Sequence, residues 1–284
     1  MSEFAKRVAV AVVAIPAVIA VIWAGGPWLA GMLALAAAFA AWEFYRLAIG
    51  TGSVPLWGHG VLLSAVVPIA VAARYSGYWV PPVSVLMLVV LELMAVALWV
   101  RGSAGKPLEV VGITLLGIFY TGGMLAFGYA LRYHRFAIDA ATGVLLTALP
   151  LAITWGTDTG AMLIGKWIGK TPLMPSVSPR KTVAGAWGGV IVAVVVSLAY
   201  VGFALRLYGR LTMSLPAAAA FGLVVSVAGQ VGDLVESMLK RQANVKDSSA
   251  LIPGHGGVLD RVDSLLFALP VAFVLYEFML MPTP

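Results

Sequence analysis

The chain reads as an all-α polytopic integral membrane protein with about nine transmembrane helices. Three observations carry this reading. Mean hydropathy is +0.99 over 284 residues, far outside the range of soluble domains. Hydrophobic residues make up 61% of the chain and charged residues only 11%. Apolar runs near twenty residues, the length a helix needs to cross a bilayer core, recur from one end to the other. A soluble core holds one or two such runs, not a whole chain of them.

The runs place spans at roughly 7–24, 28–48, 56–73, 79–100, 108–131, 141–164, 185–205, 215–239 and 262–281. The first follows Lys6 and Arg7 as a signal peptide would, but the next apolar run comes at once, so a retained span is expected. Trp23, Trp28, Trp42, Tyr45, Tyr78, Trp79, Trp99, Trp167 and Tyr208 fall near span ends, where an interfacial aromatic belt belongs.

Lysine and arginine set the orientation. With a cytoplasmic N-terminus, the inside segments hold Lys6, Arg7, Arg46, Arg101, Lys106, Lys166, Lys170, Arg180, Lys181, Lys240, Arg241, Lys246 and Arg261. The outside segments hold only Arg74, Arg132, Arg135, Arg206 and Arg210. The positive-inside rule then gives a cytoplasmic N-terminus, an outward C-terminus and both polar segments, 165–184 and 240–264, on the cytoplasmic face. Residues 1–135 supply N-terminal transmembrane helices and 136–284 the catalytic region, within one integrated membrane domain.

Several function classes fall away. The absence of cysteine excludes disulfides and cysteine-ligated metals. A net charge of +6 fits basic loops beside anionic headgroups, and no basic arm points to nucleic acid. No solenoid repeat or low-complexity tract is present.

Charge gathers instead toward the C-terminal end. In "GQVGDLVESMLKR", Asp233, Glu236, Ser237, Lys240 and Arg241 recur at three- and four-residue spacings and share a helix face. Carboxylates within an apolar span are costly and mark function, although an ion pair with Lys240 would also account for them. "PGHGG" follows, a glycine-rich turn (Gly254, Gly256, Gly257) suited to positive φ and to cradling phosphate oxygens. "LDRVD" then sets Asp260 and Asp263 one turn apart beside Arg261, which suggests a hard-cation site next to phosphate; helix capping would explain one aspartate only. With only His59 and His134 elsewhere, His255 suits a phosphate contact or the turn better than a zinc site.

A second cluster spans 154–185. Asp158 sits late in its span, Lys166 and Lys170 follow, and the loop "SVSPRKT" brings Ser178, Arg180, Lys181 and Thr182. Guanidinium and ammonium groups beside hydroxyls at a proline turn suit triphosphate oxygens. No Walker A pattern is present.

Together these residues resemble the phosphatidate cytidylyltransferases, or CDP-diacylglycerol synthases. That family's signature places Ser237, Lys240, Arg241, Lys246, Asp247, Ser248, Pro253, His255, Gly256, Gly257, Asp260, Arg261 and Asp263 at matching spacings here. Gly232, Asp233, Glu236 and the "DTGA", "GK" and "SPRKT" stretches match as well. One departure stands out: Val183-Ala184-Gly185 replaces a usual acidic triplet, so Ala184 lies where a glutamate is common.

The resemblance implies that CTP and phosphatidic acid give CDP-diacylglycerol and pyrophosphate in phospholipid biosynthesis, in a bacterial-type inner membrane. It implies catalytic roles for Asp233, Lys240, Arg241, Lys246, Asp247, His255, Asp260, Arg261 and Asp263. Substrate contacts are expected from Asp158, Ser178, Arg180, Lys181, Thr182, Glu236, Ser237, Gly254, Gly256 and Gly257. Asp233, Asp260 and Asp263 are the expected Mg²⁺ ligands, with K⁺ as a second cation. CTP, phosphatidic acid and membrane lipids are the expected partners, nucleic acid is not, and a homodimer is allowed. The alternatives are a CTP-using enzyme acting on another lipid (a polyprenol kinase or an ether-lipid cytidylyltransferase) and a secondary transporter.

Overall fold

The computed structural model describes residues 3–252 and 256–283, with no side-chain surroundings for 3–11, 13, 14 and 103. Among the described residues the helices are α1 (Glu3–Ala24), α2 (Gly26–Gly50), α3 (Trp57–Tyr75), α4 (Val83–Arg101), α5 (Pro107–Arg132), α6 (Ala140–Ile168), α7 (Val183–Tyr208), α8 (Leu215–Gln242) and α9 (Leu259–Met279). Helices α2 to α9 are long and apolar enough to cross a membrane, and α1 is apolar over Ile15–Ala24. Each expected span has its helix.

One short hairpin and one pairing of two distant strands accompany the helices. Strand β1 (Pro172–Met174) pairs antiparallel with β2 (Ser178–Thr182), and β3 (Leu211–Thr212) pairs with β4 (Met281–Pro282). "SPRKT", expected as a proline turn, is therefore a strand. Pro179 is tolerated because a two-stranded sheet has only edges.

The chain packs as two compact units, Met1–Ala130 with Leu239–Arg261 and Leu131–Met238 with Val262–Pro284. In the first, Tyr45 is the pivot. Its hydroxyl donates to Thr114 O at 2.7 Å, and its ring occupies the space a side chain at Gly60 or Gly117 would need. Helices α2, α3 and α5 thereby close on one ring. Tyr45 is 1% exposed, so it belongs to the core and not to the aromatic belt. Trp23, Trp28, Tyr78, Trp79, Trp99, Trp167 and Tyr208 are exposed, as a belt requires, and Trp42 is half-buried with the Arg46 guanidinium 4.8 Å from its ring. Helix α5 carries a π-helical stretch at Ile118–Gly123, where Gly122 meets the Ser64 backbone.

In the second unit α6 and α7 pack closely through small residues. A Cβ on Gly160 would lie 2.8 Å from Gly188 O, and one on Gly185 would lie 2.8 Å from Ala161 O. Small residues let membrane helices approach in this way, where no hydrophobic drive separates lipid from leucine. The hydroxyl of Tyr276 on α9 donates to Leu146 O at 2.8 Å, and its ring stacks on Phe221.

Candidate active site

The close α6–α7 contact sets the end of α6 beside the start of α7, with the β1–β2 hairpin between them in the chain. A cavity of about 410 Å³ lies there, within the second unit. Helix α6 lines it with Asp158, Ala161, Met162, Gly165 and Lys166, and the hairpin with Leu173, Arg180, Lys181 and Thr182. Gly185 and Ala186 of α7 complete one wall, and Gln230, Asp233 and Leu234 of α8 another. The volume falls in the range of small-molecule sites.

The local structure holds these groups. Thr182 is the N-cap of α7, its Oγ1 accepting from Gly185 N at 3.1 Å, which ties the end of β2 to the helix start. Gln230 Nε2 donates to Ala186 O and to Ser226 Oγ, both at 3.3 Å. The Thr157 hydroxyl reaches the same Ser226 Oγ at 2.9 Å. Lys181 pairs with Asp233, and Ser237 Oγ reaches Asp233 Oδ1 at 3.4 Å. Three cations and two carboxylates thus face one space: Lys166, Arg180 and Lys181 with Asp158 and Asp233. Such a cavity can neutralise several phosphate oxygens at once.

Residues 239–261 of the signature belong to the first unit. Lys240 Nζ lies 2.6 Å from Asp260 Oδ1. Asp260 Oδ2 accepts from Ser248 N at 3.0 Å, Ser248 Oγ at 2.7 Å and Gly257 N at 2.8 Å. Gly256 takes φ +79° and its carbonyl accepts from Ile252 N at 2.8 Å. Gly257 has another reason to be glycine: a Cβ there would collide with Ser248 Oγ and the Glu43 carboxylate.

Glu43 is the residue the sequence reading missed. It lies in α2 with no exposed surface. Its Oε1 accepts from Ser249 Oγ at 2.6 Å and Val258 N at 3.0 Å. Its Oε2 accepts from Ser248 Oγ at 3.0 Å and Leu259 N at 2.6 Å. The signal was available: a lone carboxylate inside "LAAAFAAWEFYRLAIG" violates the same rule that singled out Asp233.

The remaining candidates are placed as follows. Glu236 and Ser237 are buried on α8, and Ser178 is half-buried on β2. Arg241 Nη1 donates to Val245 O at 3.0 Å. Lys246, Asp247 and Arg261 are exposed, and the half-buried Asp263 accepts from Ser264 N at 2.6 Å. Gly254 and His255 lie outside the described residues.

Comparison with known proteins decides what this arrangement belongs to. The model of the cytidylyltransferase family matches residues 5–279, nearly the whole chain. The chain belongs to the cytidylyltransferase family. Among its relatives is a Staphylococcus aureus protein named phosphatidate cytidylyltransferase, 34% identical over 218 residues, covering 75% of this chain and 78% of that one. A Synechocystis protein of the same name is 36% identical over 184 residues, 57% of this chain and 61% of that relative. One from Bacillus subtilis is 38% identical over 165 residues, 58% of each.

Among the described residues of this cytidylyltransferase, no three acidic or histidine side chains converge as a metal cluster. Magnesium does not need one, since it is commonly held by one or two carboxylates plus substrate phosphates. Asp158 and Asp233, both lining the cavity, fit that demand. Asp260 fits it less well, because a carboxylate offers about four acceptor directions and here Lys240 Nζ, Ser248 N and Gly257 N take three, with the Ser248 hydroxyl shared with Glu43.

Proposed function

We propose that this membrane cytidylyltransferase transfers the cytidylyl group of CTP to phosphatidic acid, giving CDP-diacylglycerol and pyrophosphate. The observation that carries the reading is the cavity, where Lys166, Arg180 and Lys181 meet Asp158 and Asp233 in a chain of this family. The names of the bacterial relatives supply the lipid substrate.

A lipid phosphate oxygen forms a new bond to the α-phosphorus of CTP as the bond from that phosphorus to the bridging oxygen breaks. Pyrophosphate leaves with that oxygen. Such transfers depend on alignment and charge neutralisation more than on covalent chemistry. Lys166, Arg180 and Lys181 receive the triphosphate oxygens and hold them against the leaving charge. Thr182, capping α7, sets the hairpin end that carries the two basic strand residues. Phosphatidate already carries the nucleophilic oxygen as an anion, so no side chain has to remove a proton.

Mg²⁺ belongs to this proposal, with Asp233 and Asp158 as the residues to hold it; bound there, it would offset the charge of the phosphate oxygens. K⁺ as a second cation rests on the family resemblance alone. The excess of lysine and arginine supports placing 165–184 and 240–261 on the cytoplasmic face of a bacterial inner membrane, where CTP is available.

The test is pyrophosphate release by detergent-purified protein given CTP and Mg²⁺. Release that requires phosphatidate and stops with EDTA supports the reading. Turnover giving CDP and a newly phosphorylated alcohol would replace it with a lipid kinase.

A further inference from the structure

Glu43 stands 205 residues from Ser248 in sequence, outside every motif that marks the active region, yet four donors of the signature segment converge on it. Two are hydroxyls, from Ser248 and Ser249, and two are backbone N–H groups, from Val258 and Leu259 at the start of α9. An anion at a helix start meets the positive end of its dipole, so Glu43 acts as a cap delivered by another helix. Asp260 completes the clasp from within the segment, accepting from Gly257 N and sharing Ser248 Oγ with Glu43. The Glu43 carboxylate and Ser248 Oγ leave no room for a Cβ at Gly257.

We infer that Glu43 is a positioning residue for the transfer reaction. Its carboxylate fixes Ser248, Ser249, Val258 and Leu259, and thereby the placement of the exposed Asp247 and Arg261, which flank the clasp. This rests on the cytidylyl transfer proposed above. A buried carboxylate in an apolar helix costs stability unless it is hydrogen-bonded, and here the segment supplies three donors of its own, Ser249 Oγ, Val258 N and Leu259 N, with the Ser248 hydroxyl shared with Asp260. The hydrogen bonds of Glu43 go to Ser248, Ser249, Val258 and Leu259, so its effect falls on the alignment of this segment.

Glu43→Gln is the near-isosteric probe. The carboxamide keeps one acceptor oxygen and turns its NH₂ toward a backbone N–H that cannot reverse its role, so at least one of Val258 N and Leu259 N loses its partner. A misalignment of this kind costs about 10²-fold in kcat. KM for CTP stays within about threefold, the signature of an interaction expressed in the transition state. Glu43→Asp, which keeps the charge, recovers part of the loss.

The physical arm uses a spin label. The chain has no cysteine, so Leu251→Cys gives a single site. Leu251 is exposed and its N–H donates to Ser249 Oγ at 3.1 Å, one bond away from Glu43. Full-length protein with Glu43→Gln should show a more mobile label at 251 together with the drop in kcat. Wild-type kcat in Glu43→Gln, an unchanged label, or a loss carried by KM for CTP overturns the inference. Should Glu43→Gln fail to accumulate, Ser249→Ala removes one donor of the four: a several-fold fall in kcat with a looser label supports the clasp, and no change in either refutes it. If the wild type makes no CDP-lipid, the proposed reaction is what fails, and with it the catalytic part of this inference; the label still decides whether Glu43 holds the segment.

Discussion

Lys181 on β2 and Asp233 on α8 form an ion pair in the wall of the cavity. Each side chain is about one-third exposed, so the pair is open to an incoming anion. In the proposed reaction a triphosphate would draw the ammonium to itself and leave the carboxylate to a cation.

Removing either partner should therefore cost activity more than stability. Lys181→Ala and Asp233→Asn are each expected to lower kcat/KM by on the order of 10²-fold or more, as for lost charge stabilisation. Melting temperatures should barely move, because a partly exposed pair contributes little to folding. Steady-state kinetics and thermal unfolding of the same preparations check both halves.

Asp233 and Asp260 should separate by their response to Mg²⁺. Asp233→Asn and Asp260→Asn are both expected to lose at least about 10²-fold in rate. Only Asp233→Asn should raise the Mg²⁺ concentration needed for half-maximal activity, since Asp260 is occupied by Lys240, Ser248 and Gly257. A raised Mg²⁺ requirement in Asp260→Asn would restore it as a direct ligand. Asp139→Asn is the control: Asp139 caps α6 through Thr142 N at 2.7 Å, and asparagine caps as well as aspartate.

A pH effect should come from His134. It is buried, with Nε2 3.1 Å from Glu277 Oε1, while Arg135 Nη2 reaches Oε2 of the same carboxylate at 2.6 Å. Phe136, Phe273 and Tyr276 surround the ring. Burial holds its pKa below the ordinary 6.5; Glu277 opposes this, and Arg135 adds to it. The native state then binds fewer protons than the unfolded chain, so stability is present above pH 6.5 and declines as pH falls through and below that value. His134→Gln should narrow the fall in melting temperature between pH 7.5 and about 5.5, a window set by the ordinary histidine pKa. An unchanged fall would assign the pH response elsewhere.

Topology is testable because the chain lacks cysteine. Single cysteines at Ser176 and Thr283 should label from opposite sides of intact cells, Ser176 from the cytoplasm. Labelling of both from one side would overturn the orientation read from the lysines and arginines.

How much of this was legible in the sequence depended on range. Helices were legible because a bilayer demands length and apolarity together, and "VSVLMLVVLELMAVALWV" admits little else. The cations of the cavity were legible because charge is rare in this chain. Tyr45 was misread because its place near a span end resembles a belt position, whereas the glycines that make room for its ring, Gly60 and Gly117, lie on other helices. The same distance hid Glu43, whose partners begin 205 residues later. Gly257 was read as part of a phosphate cradle; its N–H is already given to Asp260, and steric contact with Glu43 and Ser248 accounts for it. No motif shows that Ser248, Ser249, Val258 and Leu259 will direct their donors to a distant carboxylate.

The fate of the two ends of CTP tests the central claim most directly. Purified protein is incubated with Mg²⁺ and phosphatidate, and with CTP labelled on either the α- or the γ-phosphorus. Cytidylyl transfer places the α-label in the lipid product and the γ-label in pyrophosphate, with neither made when phosphatidate is omitted. Appearance of the γ-label in lipid, with the α-label left in soluble CDP, would contradict the account.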